Sequence, residues 1–201
     1  MEDRYEIRLS GTGGQGLVLA GIILAEAAGI YEGKYVVQTV SYGPAARGGT
    51  SRADVVVSDR EIDYPKAMGL NVLLAMSQMA CDESLADLKP HGLLVVDSLL
   101  VSQVTYPRVV KIPFTRIARE KGGREQMANI VALGALSRLI PAMPEGTGVV
   151  TLGSMEAAVM DRVPRGTEGP NRVAFQEGVK AIEEIRETLF FKEPPEDHDQ
   201  I

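Results

Sequence analysis

Apolar positions along the 201 residues fall into short runs divided by glycine- and proline-bearing turns. The first run, residues 4–10, alternates: Tyr5, Ile7 and Leu9 are apolar and Glu6 and Arg8 polar, the period of a strand. Residues 17–28 are apolar nearly all round, so a helix there must be largely buried, and Gly29 and Gly33 break it. Residues 35–40 and 52–58 are short β-branched runs that read as strands two and three. Residues 71–76 and 92–97 are continuous apolar runs, the mark of strands buried on both faces. Between them residues 77–88 read as a helix. Residues 108–113 form a further strand, and residues 114–121 a helix stopped by Gly122 and Gly123. An apolar helix over 127–140 is closed by Pro141 and Pro144, a short helix covers 154–160, and a long amphipathic helix covers 171–190. Strand and helix alternate without internal repeat. This predicts one α/β domain over residues 1–191, three-layer α/β/α with a mostly parallel central sheet, Rossmann-like. Residues 192–201, charged and proline-bearing, are expected to form a disordered acidic tail.

Composition removes several chemistries. Twenty-one Lys and Arg against 27 Asp and Glu, with no basic run, argue against nucleic acid as the main partner. No stretch approaches the roughly 20 apolar residues of a membrane span. The opening Met-Glu-Asp-Arg-Tyr-Glu is too charged for a secretory signal, so a soluble cytoplasmic domain is expected. One cysteine, Cys81, cannot form an internal disulfide, hold an iron–sulfur cluster alone or build a cysteine-based zinc site. It reads as a core thiol of an apolar helix. The two histidines are His91, beside Pro90 in an expected turn, and His198 in the tail. Trp is absent, which disfavours a base-stacking platform. Neither catalytic residues nor metal ligands are expected.

Two loops remain. Gly11-Thr12-Gly13-Gly14-Gln15-Gly16 satisfies G-x-G-x-x-G between a strand and a helix, the context in which glycines let backbone approach a ligand and the helix N-terminus meets a phosphate. A dinucleotide site also needs a carboxylate ending the second strand. That strand ends Thr39-Val40-Ser41-Tyr42, without one. A self-sufficient NAD- or flavin-binding oxidoreductase therefore loses half its support. A turn that only packs helix on strand stays open. The second loop, residues 41–52, should leave the same carboxyl edge of the sheet. There Tyr42, Arg47, Gly48 and Gly49 are candidate contacts, Arg47 able to grip a phosphate or carboxylate with two prongs. Asn129 opens the apolar helix and is either a cap for backbone N–H groups or a contact for a ligand or neighbour. Arg116 and Arg119 share a helix face and could pair with Glu120, form a small basic patch or, as is usual, simply be solvated.

Taken together, Gly11–Gly16, the run Ser41-Tyr-Gly-Pro-Ala-Ala-Arg-Gly-Gly49 and the run Ala128-Asn-Ile-Val-Ala-Leu-Gly134 resemble, in order and spacing, the gamma subunit of 2-oxoacid:ferredoxin oxidoreductases. The resemblance covers roughly residues 4–190. The family often has Glu where this chain has Ala45, so no carboxylate role carries over there. The resemblance implies a non-redox subunit, inactive alone, of a complex that converts a 2-oxoacid and coenzyme A to acyl-CoA and carbon dioxide while reducing ferredoxin; 2-oxoglutarate is the preferred substrate, with pyruvate, branched 2-oxoacids and indolepyruvate left open. It implies partner alpha, beta and ferredoxin-like delta subunits carrying thiamine diphosphate, magnesium and iron–sulfur clusters, with no cofactor on this chain alone. It places the glycine loop, the 42–52 loop and Asn129 on the coenzyme A or partner side. A purely structural subunit is the other reading, and a homodimer of the isolated chain is possible.

Overall fold

The structure is a computed structural model that describes residues 4–43, 49–186 and 189. In chain order the elements are β1 (Tyr5–Thr12), α1 (Leu17–Glu26), β2 (Tyr35–Tyr42), β3 (Thr50–Ser58), β4 (Leu70–Ala75), α2 (Gln78–Ser84), β5 (Leu88–Asp97), β6 (Val109–Ile112), α3 (Phe114–Lys121), α4 (Ala128–Ala142), α5 (Leu152–Arg162) and α6 (Glu168–Ile185). A π-helical turn, Ala27–Tyr31, prolongs α1. The expected tail lies outside the described residues, as do Arg47 and Gly48.

One six-stranded sheet has the order β2-β3-β1-β4-β5-β6. Strands β1, β4, β5 and β6 pair in parallel, whereas β3 runs antiparallel to both β1 and β2. The α/β class is as expected from the sequence. The departure from a Rossmann order has a simple cause. Strands β2 and β3 are consecutive elements that pair antiparallel, with no helix among the described residues between them, and β3 lies against β1.

The two faces are covered unequally. Tyr5, Ile7 and Leu9 of β1, with Val55, Val57, Val72, Leu74, Leu93 and Val95, pack under α1, α3, α4, α5 and α6. On the other face a smaller core gathers Leu73, Ala75, Leu94 and Val96 under α2, with Cys81 within it. Glu6 and Arg8 of β1 are buried on that side too, each held by polar partners. Arg8, 3% exposed, donates to Asp54 at 2.6 and 2.9 Å and also to Asp87. Glu6 accepts from Arg4 at 2.9 Å and from the N–H groups of Met68 and Gly69 at 2.6 and 2.9 Å, which ties down the segment before β4.

Boundaries differ where local signals are weak. Ser77 caps α2, accepting from the Ala80 N–H, and the helix tightens into a 3-10 turn at Leu85–Asp87. Strand β5 begins earlier than its apolar run: Leu88 faces Leu70, then residues 89–92 bulge before Leu93 faces Val72. The turn expected at His91 is this bulge, and His91 is exposed. Pro141 falls inside the last turn of α4 rather than after it. Helices α4 and α6 cross at Gly134 and Gly178, where backbone meets backbone.

Candidate functional site

The carboxyl ends of β1, β2, β4, β5 and β6 share one edge, as the parallel pairings and the β2–β3 hairpin require. The glycine loop leaves β1 there. Gly16 sits at φ +72° as the cap of α1, a conformation that favours glycine, and a Cβ on it would lie 2.5 Å from Asn129 Nδ2. Gly14, at φ +93°, faces open space, and Gly13 and Gly14 are exposed.

The structure brings the two loops together. The Gly13 N–H donates to the Gly49 carbonyl at 3.1 Å, and Thr12 and Thr50 are cross-strand partners beneath them. Tyr42, 70% exposed, pairs with Ser51 beside this junction. Helix α4 starts at the same place. Asn129, 4% exposed, donates to the Gly16 carbonyl at 3.0 Å and accepts from the Ile130 N–H at 2.9 Å, so it caps its own helix and ties α4 to α1. Gly11, Thr12, Gly13, Gly14, Gln15, Gly16, Tyr42, Gly49 and Asn129 thus form one constellation. Arg47 and Gly48, between Tyr42 and Gly49 in sequence, lie outside the described residues.

A half-open cleft of about 230 Å³ borders the glycine loop. It is lined by Gly14, Gln15, Leu100, Thr115, Gln126 and Ala128. Glu125 also borders it and pairs with Arg119 at 2.6 Å. No described residue accepts from the N–H groups of Gly14, Gly16 or Leu17. These donors and the positive end of α1 can meet an anion. Asp97, fully buried at the end of β5, accepts from the Thr115 N–H at 2.8 Å and hydroxyl at 2.6 Å and from the Leu99 N–H at 2.9 Å, which shapes the far wall. The sequence reading missed Asp97 and Thr115. The signal available was an aspartate ending an apolar strand, at the edge where α/β sheets bind ligands.

A larger cleft, about 460 Å³, lies between the C-terminal ends of α4 and α6, bordered by Arg138, Leu139, Ile182 and Arg186. The full length of α4 separates it from the glycine loop, and none of the sequence motifs reaches it.

The glycine motif here does not make the dinucleotide arrangement. On the side of β1 away from β4 the neighbouring strand is β3, whose end at the loop is Thr50–Ser51, and β2 lies one place further out. The residues present do not fit an iron–sulfur cluster or the magnesium of thiamine diphosphate. Cys81 is the single thiol of the chain and is buried under α2, and burial pushes it up, with the charge of Asp82 adding to the effect. Among the described residues no three His, Cys, Asp or Glu side chains converge as metal ligands. No described helix is long and apolar enough to cross a membrane.

Residues 6–181 match the family model described as pyruvate ferredoxin/flavodoxin oxidoreductase. The chain is 49% identical over 186 residues to the 2-oxoglutarate synthase subunit KorC of Methanocaldococcus jannaschii, covering 90% of this chain and 96% of that one. To the KorC subunit of Methanothermobacter thermautotrophicus it is 46% identical over 192 residues, covering 92% and 98%. Among solved structures, the gamma subunit of a keto/oxoacid ferredoxin oxidoreductase from Geobacter sulfurreducens superposes with a TM-score of 0.79 at 47% identity, covering 90% of this chain and 97% of that one. The resemblance carried by the three sequence motifs is borne out: the chain belongs to the pyruvate ferredoxin/flavodoxin oxidoreductase family.

Proposed function

We propose that this chain is the gamma subunit of a 2-oxoglutarate:ferredoxin oxidoreductase, and that its loop edge helps place coenzyme A for the partner chains. The reaction joins 2-oxoglutarate and coenzyme A to give succinyl-CoA and carbon dioxide, and two electrons pass to ferredoxin. Thiamine diphosphate supplies the carbanion chemistry of this decarboxylation, and its residues, with magnesium and the iron–sulfur clusters, belong to alpha, beta and ferredoxin-like delta chains. This chain contributes neither redox centre nor nucleophile and is inactive alone, in a cytoplasmic assembly.

The observation that carries the coenzyme A role is the junction of the two loops. Gly13 and Gly49 are bonded at the carboxyl edge, and the adjacent cleft is bordered by Gly14, whose N–H meets no described acceptor, beside the N-terminal end of α1. At about 230 Å³ that cleft suits one phosphate-bearing end of a ligand rather than the whole of coenzyme A. The remainder is left to the 43–49 loop and the partner chains. The same edge carries Tyr42, Met79, Leu99 and Leu100, all exposed, which suits a surface covered by other subunits. The choice of 2-oxoglutarate is supported by likeness to KorC chains along nearly their whole length. The ketoisovalerate oxidoreductase subunit VorA of Methanothermobacter thermautotrophicus is 36% identical over 66% of this chain and 28% of its own length.

The test is reconstitution with the partner subunits and dye-linked assay. Reduction must require 2-oxoglutarate, coenzyme A and this chain together. Activity undiminished without this chain would overturn the subunit assignment. Arg47→Ala is expected to raise the KM for coenzyme A with assembly intact; an unchanged value would remove the coenzyme A role and leave a structural subunit.

A further inference from the structure

Gln15 borders the cleft, but both ends of its side-chain amide are engaged within the protein. The side chain folds back over the loop it belongs to. Its Oε1 accepts from the Thr12 N–H at 2.7 Å and its Nε2 donates to the Met76 carbonyl at 2.8 Å. Met76 follows β4, and its own N–H donates to the Ser10 carbonyl of β1 at 2.8 Å. A Cβ on Gly11 would lie 2.2 Å from Gln15 Oε1, so the absence of a side chain at Gly11 makes the channel that the glutamine crosses. The turn is closed a second time by the Gln15 N–H on the Thr12 carbonyl at 3.3 Å. At the other end of the loop Asn129 holds the Gly16 carbonyl.

The consequence concerns which donors are left. Thr12 N–H is occupied by Gln15, Gln15 N–H by Thr12, and Gly13 N–H by Gly49. Of the loop donors without a described acceptor, that of Gly14 borders the cleft, and those of Gly16 and Leu17 follow it at the start of α1. Side chains with both hydrogen-bonding ends engaged have little left for a ligand. What they do is hold the loop backbone, with Gly14 at the cleft, in one arrangement before anything binds, which removes an ordering cost from the binding step.

We propose that Gln15 is a positioning residue: its amide clamps the glycine loop to the end of β4 and presets the backbone donors that receive the phosphate end of coenzyme A. The inference rests on the coenzyme A role proposed above. It assigns Gln15 a place behind the site rather than in contact with the ligand, and Asn129 the matching place at the α1 cap.

Gln15→Met keeps the length of the side chain and removes both hydrogen bonds. In the full-length chain, hydrogen exchange over residues 12–19 is expected to quicken about tenfold while peptides of β4 and β5 are unchanged. In the reconstituted complex the KM for coenzyme A is expected to rise about tenfold, with kcat and the KM for 2-oxoglutarate unchanged; tenfold corresponds to about 1.4 kcal/mol. Unchanged exchange over residues 12–19 would overturn the clamp outright. Faster exchange with an unchanged KM for coenzyme A, while Arg47→Ala raises it, would overturn the positioning role and leave the coenzyme A role standing. No effect on that KM from either variant would overturn both. If Gln15→Met fails to assemble, Asn129→Asp replaces it in the kinetics: it keeps the acceptor for Ile130, loses the donor to Gly16, and must give the same split or the inference falls.

Discussion

A single methyl group added at Gly134 tests how closely the two central helices approach. The Cβ of Ala at this position would stand 2.0 Å from the Phe175 carbonyl oxygen, 2.9 Å from its carbon and 3.2 Å from the Val179 nitrogen. All three are backbone atoms of α6, so no rotamer change relieves the overlap. Relief needs the helices to part by more than about 1 Å, since unstrained contacts lie near 3.5 Å. Parting them opens the core around Val131, Leu136, Phe175 and Ile182, each buried. Overpacking of this kind costs about 1–3 kcal/mol, and a clash with rigid backbone belongs at the upper end. Against it stands a gain of about 1 kcal/mol from replacing Gly by Ala within a helix. The net expectation is a loss of about 2 kcal/mol, or a fall in Tm of about 4–8 °C for a domain of this size. Urea unfolding followed by circular dichroism reads it, with Gly169→Ala as the control. Gly169 lies in the first turn of α6 and a Cβ there meets nothing within 4 Å, so that variant should be neutral or slightly stabilised. A Gly134→Ala chain as stable as the wild type, with an unchanged urea dependence, would refute the argument that the crossing is backbone against backbone.

Two further outcomes follow from the second face of the sheet. Arg8→Met strands Asp54, only 6% exposed, without its counter-charge, whereas the more exposed Asp87 can turn to water. A loss of about 3 kcal/mol is expected in urea unfolding, largely recovered by adding Asp54→Leu; no recovery in the double variant would show that the pair is not what Arg8 stabilises. The Cys81 thiol, pushed up by burial and by the charge of Asp82, should stay protonated and react with a thiol reagent at pH 8 only as fast as the chain unfolds. Its raised folded value means that its contribution to stability is complete below the unfolded thiol value of about 8.5 and is lost as pH rises from there through the folded value. Rapid labelling of the native chain would contradict this burial.

Much of the candidate site was legible in the chain. The glycine loop was readable as a candidate because G-x-G-x-x-G stood between an alternating run and an apolar helix, with a turn that only packs helix on strand left open, and the missing carboxylate after Val40 already weakened a dinucleotide site. The Ser41–Gly49 run was readable as its neighbour because both loops leave carboxyl strand ends. The roles of Gln15 and Asn129 were not. Gln15 was a candidate ligand contact on motif membership and Asn129 either a cap or a contact, and their amides turn inward because Met76 and Gly16 stand within reach across 61 and 113 residues of sequence. Such long-range partners leave no local trace.

The sequence by itself determined the kind of element at each place, the single large core and the narrow chemical equipment: one thiol, two histidines and no tryptophan. Those follow from periodicity and composition, which are local or summed properties. Tertiary structure decided the order of the sheet, with β3 inserted antiparallel between β1 and β2. It also decided that Glu6 and Arg8, polar positions of an alternating strand, are buried. Alternation assigns side chains to two faces but does not say what covers each face. Here α2 and the segment before β4 cover the second one, and the charges on it survive burial because Asp54, Asp87 and Arg4 meet them there.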